Sequence, residues 1–312
     1  MRGTVEEKAV RVAAPAKINL ILRVLDRRPD GYHNLWSVMQ TVALEDELRL
    51  RVRHDTAGVA LRCDDATLPT DHRNLVYRAA ALAVERAGLN VGLEIKLMKR
   101  IPYGAGLGGG SSDAAATILG LNRLLGLGWT VAHMAELGQQ VGSDVPFFFF
   151  APSALVTGRG EAVKSLRVAG ERWVVLVAPG FPIETRWAYQ RLSAARFGAP
   201  SLSGALQALE AREAVTWEDL LPLAENDFEE AVFPEYGVLR TIKTRLLSEG
   251  AEAALLSGSG STVFGVFRDE TTARQAQATM GRLERCRAYA VRACTEALSC
   301  QSAPTTASLR VG

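Results

Sequence analysis

At 312 residues the chain has room for one large or two ordinary domains, and 48% hydrophobic against 22% charged residues fits a folded protein with a sizeable core. A net charge of +2 gives no basis for a nucleic-acid or membrane partner, and no apolar run reaches spanning length. The opening MRGTVEEKAV lacks the apolar core of an export signal, and Cys63, Cys286, Cys294 and Cys300 show neither C-x-x-C pairing nor zinc spacing, so reduced thiols and a cytoplasmic location are expected.

Residues 1–8 read as a loose leader, and residues 9–24 as two short strands broken at Pro15. Lys17 and Asn19, two apart, point to the same face there, although a strand lysine is ordinarily a solvated edge charge. Asp30-Gly31-Tyr32-His33 makes a turn. Residues 35–43, 47–53 and 59–63 are strand-like, and residues 74–87 form an amphipathic helix with Leu75, Ala79, Leu82 and Val84 apolar. A strand over 91–98 feeds the densest signal in the chain.

That signal is residues 101–122, IPYGAGLGGGSSDAAATILGLN, with five glycines in seven residues: Gly104, Gly106, Gly108, Gly109 and Gly110. Glycine lets backbone amides approach a ligand closely, and Ser111, Ser112 and Asp113 are good helix starters before an apolar face of Ile118, Leu119, Leu121 and Leu125. A helix N-terminus behind such a loop is an anion site, most naturally for nucleotide phosphates. A flexible linker would lack the strand before and the helix after. A Walker A loop needs Lys then Ser or Thr after the last glycine, whereas Gly110 is followed by Ser111. A dinucleotide fold needs a carboxylate about 20 residues on, where this chain has none. The protein-kinase companion motifs His-Arg-Asp and Asp-Phe-Gly are missing too.

Thr130 caps a helix running to Val141 and stopped by Gly142. In the tight loop Gly142-Ser143-Asp144-Val145-Pro146 an aspartate is ordinarily a turn or cap residue. The four phenylalanines at 147–150 read as a short buried strand, and residues 154–157 and 163–166 as strands around Gly158-Arg159-Gly160. A second unit begins near Gly170, with a strand over 173–178 and helices over 185–196, 202–212, 217–220 and 237–248. A strand at 253–256, the small-residue loop Ser257-Gly258-Ser259-Gly260-Ser261-Thr262, a strand at 263–267, a helix at 272–283 and a strand at 287–293 complete it. This order predicts an α+β protein, its second unit a split βαβ sheet with helices on one face. The expected division is 1–169, 170–298 and a disordered tail over 299–312. His54, His72 and His133 have no motif around them and read as surface or structural.

Three separated motifs, Pro15-Ala16-Lys17-Ile18-Asn19-Leu20, the glycine loop, and Leu256-Ser257-Gly258-Ser259-Gly260-Ser261, occur in the order found in the GHMP small-molecule kinases, and the chain resembles that family over residues 10–293. The resemblance implies a two-domain GHMP kinase fold, with a ribosomal protein S5 domain 2-like N-terminal domain and a ferredoxin-like C-terminal domain around a cleft. It implies ATP and Mg²⁺ as cofactors, with Pro102, Tyr103, Gly104, Ala105, Gly106, Leu107, Gly108, Gly109, Gly110, Ser111, Ser112, Gly258 and Gly260 around the nucleotide. Asp144 would be the catalytic base and Lys17 its cationic partner; Ser111 or Ser112 could offer a hydroxyl to the metal, with no ligand set firmly assigned. The segments Asp30-Gly31-Tyr32-His33 and Gly142-Ser143-Asp144-Val145-Pro146 resemble a narrower branch whose substrate is a cytidyl polyol diphosphate. There Tyr32 and Tyr189 would flank the base, His33 would hydrogen-bond its edge, and Asn19 and Thr185 would join the substrate site; ordinary helix packing is the alternative for Tyr189. A monomer or weak homodimer is expected. Three rival readings stand beside this one. They are a GHMP kinase for mevalonate, homoserine or a sugar; a catalytically inactive nucleotide-binding regulator on the same fold; and an RNA-binding module, which the near-neutral charge disfavours.

Overall fold

The computed structural model describes residues 9–53, 57–196 and 200–302; the expected leader, His54 and residues 303–312 of the expected tail lie outside them. Ala9–Arg27 (β1) is one strand of 19 residues rather than two. Pro15 does not break it, because the antiparallel pairing with His33–Arg53 (β2) shifts register between Pro15 and Ala16, where a missing N–H is tolerated. The chain continues through Gly58–Cys63 (β3), Leu75–Ala87 (α1), Gly92–Met98 (β4), Gly109–Leu125 (α2), Val131–Val141 (α3), Ser153–Gly158 (β5), Ala162–Ser165 (β6) and Arg167–Ala169 (β7). Asn74 caps α1 by accepting from the Val76 amide, and Thr130 caps α3 by accepting from that of His133. The phenylalanine run is a 3₁₀ turn, Pro146–Phe149, and not a strand. A strand would send Phe147 and Phe148 to opposite faces, whereas the turn buries both in one core with Val145 and Leu137.

The second half comprises Trp173–Ala178 (β8), Thr185–Ala195 (α4), Gly204–Glu210 (α5), Ala214–Thr216 (β9), Trp217–Leu220 (α6), Glu225–Asn226 (β10), Phe228–Val232 (α7) and Gly237–Ser248 (α8). It ends with Ala253–Leu256 (β11), Val263–Phe267 (β12), Glu270–Met280 (α9), Arg287–Arg292 (β13) and Cys300–Ser302 (β14). Strands β11-β12-β8-β13, in that order and all antiparallel, make the expected split sheet. The larger sheet runs β10-β1-β2-β4-β3, with β5 on β2 and β6 on β5. Two of its strands come from beyond residue 170. The short β10 pairs parallel with Ile21 and Leu22, and β14 pairs antiparallel with residues 10–12. The latter corrects the expectation of a tail disordered from residue 299, because Cys300–Ser302 satisfy backbone groups along a free edge of β1.

The two sheets share their apolar core. Ile18, Leu20 and Trp36 bury against Val174, Leu176 and Phe264, and Leu22 and Val24 against Val175, Val177 and Phe228. Each fully buried side chain of this kind contributes roughly 1.5–3 kcal/mol, so β1 is anchored to both units and the cleft beside it has fixed walls. No described helix is long and apolar enough to cross a membrane.

Candidate active site

The glycine loop leaves β4 and enters α2 through three left-handed residues, Gly104, Gly106 and Gly108, with φ of 65°, 77° and 68°. A side chain is strained at each, which accounts for the alternation in the sequence. Gly108, not a serine or aspartate, is the N-cap of α2, and no side chain caps the helix. The amides of the first turn therefore have no intrahelical acceptor, which leaves an anion-accepting helix end. The glycines are needed mainly because protein crowds them. A Cβ at Gly106 would overlap the Ser257 carbonyl oxygen and lie 2.9 Å from that of Gly260, and one at Gly108 would lie 2.8 Å from Lys17 Cγ. At Gly109 the same position faces Ile101 and Lys99, behind the loop.

The small-residue loop between β11 and β12 meets the glycine loop directly. Ser257 Oγ donates to the Gly106 carbonyl (2.9 Å), and the Thr262 amide to that of Ala105 (3.1 Å). Two loops some 150 residues apart in sequence thus close one side of the cleft.

Lys17 projects from β1 between them. It is only 4% exposed, its amide donates to the Leu107 carbonyl (2.9 Å), and its ammonium donates to Asn19 Oδ1 (2.7 Å). Asn19 donates in turn to Ser37 Oγ (2.9 Å), which donates to the Ile21 carbonyl (2.7 Å). Asn19 is therefore buried behind Lys17, where it orients the ammonium. Asp144 Oδ2 lies 3.5 Å from Lys17 Nζ, on the turn that follows α3, with about a third of its side chain open to the cleft. An ammonium so held presents its charge to the Asp144 carboxylate.

Under the loop is a buried cluster that the sequence did not announce. Asp46 on β2 accepts from the amides of Arg100 (2.5 Å) and Ile101 (2.9 Å) and from Lys99 Nζ, which also donates to Asp113 Oδ2 (2.7 Å). Burial pushes the Asp113 carboxyl up to about 8, with Lys99 opposing and Asp46 reinforcing. For Lys99, burial lowers the pKa but the two carboxylates outweigh it, and the ammonium ends above its ordinary value. Ser112 is fully buried, and its Oγ has no partner among the described residues.

On the other side, the Arg28–Tyr32 turn is closed by Arg28 N to Tyr32 O (2.7 Å) and leaves Tyr32 54% exposed. The Arg159 guanidinium, from the β5–β6 turn, lies 3.9 Å over the Tyr32 ring, and its Nε is buried without a partner among the described residues. His33 stacks on Tyr189 of α4 (4.9 Å, 15°) and meets Ser193 Oγ (3.0 Å). Burial, then Arg27, pulls the His33 pKa below its ordinary value, so the ring is neutral near pH 7. Burial, then the charge of Asp144, pushes the Tyr189 phenol up to about 12. Thr185, expected at the substrate, bonds Ser259 Oγ (3.1 Å) and ties α4 to the small-residue loop.

Comparison with known proteins decides among the kinases of this architecture. The GHMP kinases N terminal domain model matches residues 74–151, and the GHMP kinases C terminal model residues 205–284. A 4-diphosphocytidyl-2-C-methyl-D-erythritol kinase of Geobacter sp. (strain M21) is 40% identical over 91% of this chain and 99% of its own length. That of Heliobacterium modesticaldum is 43% identical over 87% and 90%. The chain belongs to the 4-diphosphocytidyl-2-C-methyl-D-erythritol kinase family of GHMP kinases. A crystal structure of a 4-(cytidine 5'-diphospho)-2C-methyl-D-erythritol kinase superposes with a TM-score of 0.72 at 35% identity, covering 90% of this chain and 98% of that one. Homoserine kinase from Cytophaga hutchinsonii reaches the same TM-score at 20% identity, a likeness of fold alone.

ATP use comes with membership of the GHMP kinases. Of the residues expected in the site, the structure brings Lys17, Asp144 and the two loops together and stacks His33 on Tyr189, whose phenol feels the charge of Asp144. It differs from expectation in three places. Asn19 supports Lys17 from behind, Ser112 does not open to the cleft, and His33 rather than an open gap lies on the Tyr189 face. Arg159 was readable only as part of a turn, although a cation flanked by two glycines beside Asp30-Gly31-Tyr32-His33 is the signal that could have marked it. Lys99, directly before the loop, gave no periodic cue at all.

Proposed function

We propose that this kinase transfers the γ-phosphoryl group of ATP to the 2-hydroxyl of 4-diphosphocytidyl-2-C-methyl-D-erythritol, a step in non-mevalonate isoprenoid precursor synthesis. The observation that carries the reading is the buried Lys17 ammonium, fixed by Asn19 and 3.5 Å from Asp144 between two glycine-bearing loops. The first-turn amides of α2 receive the ATP phosphates. Asp144 takes the proton of the substrate hydroxyl as its oxygen bonds to the γ-phosphorus. The bond to the β–γ bridging oxygen breaks, and ADP leaves. Lys17 pairs with Asp144 and offsets charge on the phosphoryl oxygens.

Magnesium takes most of its six positions from phosphates and water, so it needs few protein oxygens. The half-buried Ser111 hydroxyl at the start of α2 would supply one; the buried Ser112 would not. Bound there, the ion would neutralise phosphate charge. No group of three or more His, Cys, Asp or Glu among the described residues competes as a metal site.

Tyr32 offers the base an exposed ring, neutral His33 its edge, and Tyr189 a second wall once His33 moves from it. Arg159, whose guanidinium lies over the Tyr32 ring, brings a positive charge suited to the substrate diphosphate. ADP release should be measured with the cytidyl substrate and with 2-C-methyl-D-erythritol lacking the cytidyl diphosphate. The first should be turned over and the second scarcely at all; equal rates would overturn the base-clamp reading.

A further inference from the structure

Asn226 lies outside the three motifs described above, yet its side chain joins the end of β11, the small-residue loop and the start of α7. It is 6% exposed, on the two-residue β10, which leaves the second half of the chain to pair with Leu22 of β1. Both hydrogens of its Nδ2 are used, one on the Leu256 carbonyl (2.7 Å) and one on that of Gly258 (2.8 Å), and Oδ1 accepts from the Phe228 amide (2.9 Å). Its neighbours fasten the segment to β1. The Asp227 amide donates to the Leu22 carbonyl (2.9 Å), Asp227 Oδ2 accepts from the Val24 amide (2.7 Å), and Arg23 pairs with Glu225 (2.9 Å). The carboxamide is thus a rigid arm from a segment fastened to the strand that bears Lys17 to the loop that faces it.

What the arm holds is specific. Gly258 sits so that its missing Cβ would be 3.2 Å from the Gly106 carbonyl oxygen and 3.4 Å from Lys17 Nζ. Asn226 fixes the carbonyls on either side of Ser257, whose hydroxyl bonds Gly106. Without those two donors the carbonyls of residues 256 and 258 are left buried and unpaired, and the loop is free to turn away from the ammonium.

We propose that Asn226 is a positioning residue for phosphoryl transfer, holding the 257–260 loop against Lys17 and the glycine loop. The proposal rests on the reading of that cleft as the ATP phosphate site. Asn226→Ala loses all three hydrogen bonds, two of them to the loop, and should raise the KM for ATP by about tenfold and lower kcat. The KM for the cytidyl substrate should move less than twofold, since Tyr32 and His33 belong to another wall.

Asn226→Asp separates positioning from packing. Aspartate matches the shape of asparagine but turns an acceptor toward two carbonyls, so its effect on ATP should exceed that of alanine. A packing role would give the opposite order. Thermal melts and near-ultraviolet circular dichroism establish which variants are folded, and Asn226→Ala carries the test if the aspartate variant is not. A folded Asn226→Ala with an ATP KM within twofold of the parent, or with both KM values raised equally, would overturn the proposal. Gly258→Ala, strained at φ 56° and crowded by Gly106, is the control. If it raises the ATP KM and Asn226→Ala does not, only the role of Asn226 fails; if neither does, the phosphate-site reading fails with it.

Discussion

Adding one methyl group at Gly106 should separate the two loops that close the nucleotide side of the cleft. Alanine at φ 77° costs about 1–2 kcal/mol of backbone strain. Its Cβ would also overlap the Ser257 carbonyl and stand 3.1 Å from the carbonyl carbon, so the 257–260 loop must retreat to ordinary contact distance. That movement breaks the Ser257 Oγ to Gly106 bond and the Thr262 to Ala105 bond, each worth about 0.5–1.5 kcal/mol net. The sum is roughly 2–5 kcal/mol, shared between stability and nucleotide binding, and at about 1.4 kcal/mol per tenfold even the smaller share is measurable. Initial rates of ADP release against ATP concentration, run beside thermal melts, should show an ATP KM raised about fivefold or more for an equal split. Gly126→Ala is the comparison, because φ there is 65° and nothing lies within 4 Å of the added Cβ. It should lower the melting temperature and leave the ATP KM alone. If Gly106→Ala and Gly126→Ala behave alike toward ATP, contact between the loops does not shape the nucleotide site.

Asp113→Asn should flatten part of the pH dependence of stability. The Asp113 carboxyl is raised to about 8 in the fold, so between its ordinary value near 4 and about 8 the folded state holds a proton that the unfolded state has lost, and stability falls as pH rises through that window. Urea denaturation at pH 6 and pH 9 should show the parent losing about 2–3 kcal/mol more than Asp113→Asn; parallel losses would contradict the protonated state. Tyr189→Ala should raise the KM for the cytidyl substrate, with stacking worth roughly 1–3 kcal/mol per base, while the ATP KM stays within a factor of about two. A selective rise for ATP instead would place the ring on the wrong side of the cleft.

Local chemistry carried much of this structure into the sequence. The glycine alternation reports left-handed backbone at Gly104, Gly106 and Gly108; Thr130 and Gly142 bracket α3; and the spacing of Lys17 and Asn19 reports a shared face that the fold turns into a hydrogen bond. What stayed hidden depends on partners distant in the chain. Pro15 looked like a break because the compensating shift lies in the pairing with β2. The phenylalanine run looked like a strand because hydrophobicity alone does not tell a strand from a buried turn. Cys300–Ser302 looked like tail because three polar or small residues form a strand only where β1 leaves an open edge. Asn226, Lys99 and Arg159 are single polar residues whose importance comes from what they meet on distant parts of the chain, a relation with no period in the sequence.

The most direct test of phosphoryl transfer in this cleft is made at Asp144. Turnover of ATP and the cytidyl substrate at saturation should be compared between the parent and Asp144→Asn, which preserves shape but neither accepts the hydroxyl proton nor carries charge. A positioned base contributes at least about a hundredfold, so kcat should fall by that factor or more while both substrates still bind. Near-normal turnover in a folded Asp144→Asn enzyme would contradict the assignment of the base and, with it, the mechanism built around Lys17.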